Sequence, residues 1–248
     1  MSTISSIGRL INVLDHLRKL DEQAFTPLLI SIGPIHRSNP KLQIMNKCKE
    51  RFYDYFIRRA NINLHDLERT IREKEGEFRS YYAQTIVSHI ERVDFVTMIL
   101  TNGLFILEYY LRKSCPHLEE DDPTRILEWM HPILKVDLVL LENLLPFFVL
   151  EMLFEKATSG DKWAELQLKP LSLKELAFEF FQFYNFQNML PRNSDVEIGH
   201  FTDLVRWFHL GECELKEIFG GAKLSYSAIQ QHEAGVSNRH FLDIKFNN

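Results

Sequence analysis

The sequence predicts a mainly α fold: a multi-helix, bundle-like globular domain with a small β element near the C-terminus. Apolar residues recur at three- and four-residue steps along most of the chain, the repeat of one helix face. The 19 Phe outnumber the 10 Gly and the 9 Pro, which favours packed helices over a turn-rich sandwich. Alternation replaces the helical period at residues 241–246, where Leu242, Ile244 and Phe246 oppose Asp243 and Lys245 as in a half-buried strand. With 248 residues and 45% hydrophobic content, the chain can bury a large core in one or two domains.

The first helical stripe is Leu42, Met45, Cys48, Phe52 and Tyr55, with Lys47, Glu50 and Asp54 facing elsewhere. Arg58 and Arg59 fall at its end, where they complement the helix dipole. A second stripe, Leu64, Leu67, Ile71, Phe78 and Tyr82, carries the run Arg72-Glu73-Lys74-Glu75. That run reads as a solvated face with weak pairs of about 0.2–0.5 kcal/mol each. Residues 90–113 are apolar on more than one side, as in a central helix. Pro116 and Pro123 flank the acidic loop Glu119-Glu120-Asp121-Asp122, ending one unit and starting another. Lacking the glycine turn and spaced ligands of a calcium loop, it reads as solvated.

The polar stretch Thr158-Ser159-Gly160-Asp161-Lys162 separates a subdomain of residues 1–157 from one of residues 158–248. Ser172 and Glu175 form a capping box ahead of Leu176, Phe180, Phe181 and Tyr184. A further helix spans about residues 200–210 and stops at Gly211, and a short one opened by Ser227 and Gln230 closes at Gly235 in a left-handed cap. The terminal strand finds no partner in the remaining sequence, and a lone strand leaves its backbone groups unpaired.

A net charge of −5 gives no electrostatic reason to expect nucleic acid or an anionic membrane. Cys48, Cys115 and Cys213 are far apart and lack C-x-x-C spacing, which fits a reducing, cytoplasmic compartment. Residues 1–9 are too polar and too short for a signal peptide. The longest apolar window, residues 136–154, contains Asp137, Glu142, Asn143, Pro146 and Glu151. A carboxylate near a bilayer centre costs about 2.5–3.5 kcal/mol, so the window reads as core and no membrane span is expected. There is no G-x-S-x-G, phosphate-binding loop, G-x-G-x-x-G or H-E-x-x-H. His209 and Cys213 are four apart, but Gly211 intervenes and no second pair exists, so neither metal nor cofactor is expected. Cys115, His117 and His131 likewise read as structural.

Two motifs remain: Ser31-Ile32-Gly33-Pro34-Ile35-His36, and Asp137-Leu138-Val139-Leu140-Leu141-Glu142-Asn143-Leu144-Leu145-Pro146-Phe147-Phe148-Val149-Leu150. They resemble the S-I-G-P-x-H-H and D-L-x-x-L-E-N-Q-L-P-F-F-V-L signatures of the plant family called domain of unknown function 247, or UPF0481-like. Residues 17–27, 45–52, 102–108, 227–236 and 241–246 resemble further family segments. Arg37, Leu144 and Gln231 depart from the family's usual histidine, glutamine and leucine. The resemblance implies a short or truncated member, since relatives typically continue into more sheet and helix and a C-terminal membrane anchor. It carries no established catalytic residues, and it links some grass relatives to pollen and stigma self-incompatibility, which implies protein partners.

Glu142 and Asn143 follow an aliphatic run, so when buried they need hydrogen-bond or ionic partners. A structural reading has them satisfying backbone around Pro146 and the Ser31–Pro34 turn, with Gly33 and Pro34 as turn formers; a functional one has them line a pocket with His36. The expectation is a non-enzymatic plant recognition or scaffold module. The alternative is an enzyme or small-molecule binder using a pocket near His36, Glu108, Glu142 and Asn143.

Overall fold

Asn39 opens the first helical stretch: its side chain accepts from Lys41 N at 3.1 Å, and Pro40 takes a first-turn position that needs no donor. In this computed structural model, which describes residues 18–60, 63–114, 118, 126, 128–159, 172–190 and 198–210, the 3₁₀ turn Pro40–Met45 leads into α1, Asn46–Ala60. All described residues belong to one unit, Met1–Gly211. The buried stripe of α1 is Lys49, Phe52, Phe56 and Ala60, so a lysine takes a position in an otherwise apolar row.

Asn63 caps α2, Leu64–Arg79, accepting from His65 N at 3.0 Å. Arg72, Glu73 and Lys74 are exposed as expected, but Glu75 is buried, correcting the reading of that whole run as solvated. Position 75 is one turn beyond Ile71 on the core face, and its carboxylate is neutralised there by Arg79 Nε at 2.7 Å and Arg92 Nε at 2.5 Å. The other nitrogens of Arg79 donate to Val87 O at 2.6 Å and Ile90 O at 2.8 Å, satisfying carbonyls at the end of the short α3, Gln84–Val87.

The expected central helix is α4, Arg92–Ser114, with core residues from Phe95 to Arg112 on every side. It contacts α1, α2, α6 (Phe147–Thr158) and α7 (Leu173–Phe180), so most of the bundle is organised around it. Gly103 lets α6 approach closely, since a Cβ there would stand 2.5 Å from Leu153 Cδ1. Between α4 and α6 lies α5, Met130–Asp137, and an irregular segment, 138–146, divides α5 from α6. The long apolar window is thereby broken before Pro146, and the 12 residues of α6 span only about 18 Å. No described helix is long and apolar enough to cross a membrane.

The capping box forms: Ser172 Oγ accepts from Glu175 N at 3.2 Å, and Glu175 Oε2 accepts from Ser172 N at 2.9 Å. It starts α7, followed by the 3₁₀ turn Gln182–Tyr184 and by α8, Phe201–Leu210. One core runs from Ile30 to Phe208, and its far end is aromatic, with Phe181 and Phe201 rings 5.2 Å apart and Phe178 and Phe208 5.0 Å apart. The fold is mainly helical, as expected, with no strand among the described residues. The β element at 241–246, Gly235, Gly211, Cys115, Cys213 and the acidic loop lie outside the described residues.

Candidate functional site

Residues 28–32 are neither helix nor strand, yet Ile30, Ser31 and Ile32 are buried, so side chains must answer their backbone donors and acceptors. Asp137, the last residue of α5, supplies most of that answer. Its Oδ1 accepts from Leu28 N at 2.9 Å, and its Oδ2 accepts from Leu29 N at 2.8 Å and Ile30 N at 2.9 Å. Burial pushes the Asp137 carboxyl above the ordinary carboxylate range, and the three amide donors pull against that shift.

Asn143 continues the pattern from the irregular segment after α5. Its Oδ1 accepts from Ile32 N at 2.7 Å, while its Nδ2 donates to Ile30 O and Asp137 O, both at 2.9 Å. Asn102 of α4 donates to Ile32 O, and Lys49 of α1 donates to Ser31 O. Burial lowers the Lys49 pKa to about 8. The main chain of the segment is therefore answered by side chains of three helices and one loop.

Gly33 is needed here for close approach, because a Cβ would stand 2.8 Å from Leu144 O. The same carbonyl accepts from Tyr82 Oη at 2.9 Å, which fixes Leu144, and Pro34 is buried beside Gly33. Beyond Pro146, Phe147 N donates to Gly199 O at 2.7 Å, and Thr202 Oγ1 donates to Val139 O at 2.7 Å. The loop that holds residues 28–32 is thus itself tied to the start of α8.

At the other end of the held segment, His36 Nε2 lies 3.2 Å from Phe25 O and 3.7 Å from Glu142 Oε2. Arg18 pairs with Glu142 Oε1. Burial lowers the His36 pKa, opposed by the charge of Glu142. Arg37 meets Asp94 at 3.5 Å in an exposed pair that contributes little.

His36, Glu142 and Asn143 thus belong to one region, whereas Glu108 serves an ion cluster within the bundle. Its Oε1 receives Arg112 Nε at 2.7 Å and Arg59 Nη2 at 3.0 Å, and the Arg112 guanidinium lies 4.2 Å from the centre of the Phe52 ring. Sequence reasoning missed Lys49, Asn102 and Arg18. The signal for the first two was a polar residue at a position the apolar pattern assigns to the core; for Arg18 there was none.

The motif side chains thus define a helical domain that grips its own N-terminal segment. The chain belongs to DUF247, a plant protein family of unknown function, whose profile matches residues 10–248. It is also similar to a UPF0481 protein of Arabidopsis thaliana, 25% identical over 232 residues that make up 91% of this chain and 46% of the relative. The chain spans about half the length of that curated relative. No solved structure matches it.

Proposed function

We propose that this protein is a non-enzymatic recognition or scaffold module that works through protein partners in the cytoplasm. One observation carries the reading: Asp137 and Asn143, the polar residues of the longer motif with the fullest hydrogen bonding, make three bonds each to main chain. Groups so engaged maintain shape and are poorly placed to move protons on a substrate. The self-incompatibility role implied for some grass relatives, and the membrane anchor of longer ones, suit a domain that presents a surface.

A surface of the right kind follows α7. Phe183, Phe186 and Leu190 are 75%, 68% and 59% exposed, three large apolar side chains close together in sequence. The loop is fixed by Asn185, whose Oδ1 accepts from Met189 N and whose Nδ2 donates to Met189 O, both at 2.8 Å, and by Asn188 at φ 53°. The test is the double substitution Phe183→Ser/Phe186→Ser in cells, followed by crosslinking and native mass spectrometry. The expected variant melts with the wild type and loses the complexes that the wild type forms; retention of every complex would refute this surface.

The His36 and Glu142 contact at 3.7 Å supports a second reading, a small-molecule binder or enzyme at that pair. A compound retained through purification and released by His36→Ala would establish it in place of the scaffold.

A further inference from the structure

We draw no further inference here: the strongest candidate, the cleft of about 290 Å³ between α1, α2 and α4 that Glu50, Asp54 and Glu68 line beside Tyr53, is a cluster of carboxylates into which no buried, unpartnered polar side chain among the described residues is directed.

Discussion

Two buried polar clusters, one built around residues 28–32 and the other around Glu108, solve the same problem in opposite ways. Around Glu108, side-chain charges neutralise one another: a carboxylate takes Arg112 and Arg59, and the Arg112 guanidinium covers Phe52. Around residues 28–32, Asp137, Asn143, Asn102 and Lys49 instead answer a main chain that has no helix or sheet of its own. An ion cluster can be exchanged for apolar side chains of similar volume because all its members can be removed together. A side chain that answers backbone cannot be exchanged in that way, since the backbone groups stay behind. The comparison therefore separates a replaceable device from one that the path of the chain requires.

The largest effect should come from breaking the ion cluster halfway. Glu108→Leu leaves Arg112 buried without its carboxylate and should lower stability by about 3–5 kcal/mol. Adding Arg112→Met and Arg59→Met should return the stability read from urea unfolding to within about 1–2 kcal/mol of wild type. A triple variant as unstable as the single one would show that the cluster is not replaceable and would remove the contrast.

Asn143→Leu comes next, at about 2–4 kcal/mol, because it strands Ile32 N–H together with the carbonyls of Ile30 and Asp137. No second side-chain substitution should rescue it. Amide exchange should report the loss locally, with Ile32 N–H deprotected before the amides of α4. Uniform exchange across both would mean that the segment is integral to the core and is not gripped separately.

These clusters also show which parts of the structure could be read from sequence. The 3.6-residue period located α1, α2 and α4, and the Ser172 and Glu175 pair located the start of α7, because local chemistry dictates both. Asn143 was identifiable as a buried polar group needing partners, and the Ser31–Pro34 turn was among those weighed. What was not legible was the division of labour. Glu108 and Glu142 both stand in apolar runs; Arg112 lies one helical turn from Glu108 and is legible as its partner, but only the tertiary path brings Arg59 to Glu108 and Arg18 and His36 to Glu142. Glu75 misled for a related reason: its run of four charges conceals one residue that shares a face with Ile71 and Phe78.

Lys49 tests whether every member of the gripping set is indispensable. It donates to Ser31 O, yet burial lowers its pKa from 10.5 to about 8, so keeping it charged opposes folding at neutral pH. Its folded pKa lies below the unfolded value, so the unfolded chain retains the proton longer and wild-type stability should rise as pH increases through about 8. Lys49→Met should change stability at pH 7 by no more than about 1 kcal/mol, as loss of the bond offsets loss of the buried charge, and should flatten that rise. Urea titrations from pH 7.5 to 9.0 stay a full unit below the ordinary tyrosine value of 10.0 and decide the matter; an undiminished rise in the variant would assign it to other groups.

The smallest effect belongs to His36, at the edge of the gripped segment, where Glu142, Arg18 and Asp137 are the charges that act on it. Burial holds its folded pKa below 6.5, so the unfolded chain binds the proton first. The stability this provides is complete above the unfolded pKa and is lost as pH falls through the folded one. Asp137 acts with the opposite sign near its own, lower range, because burial raises its pKa and the folded chain then takes up the proton first. Between pH 7.5 and 5.5 the histidine contribution should therefore dominate this region, and His36→Gln should reduce the loss of stability across that interval. His200, lowered by burial against the opposing charge of Asp203, supplies a residual slope that the substitution should leave in place. If His36→Gln left the pH profile of wild type unchanged, the imidazole would be protonating without strain, and its contact with Glu142 would be a true ion pair rather than a neutral neighbour.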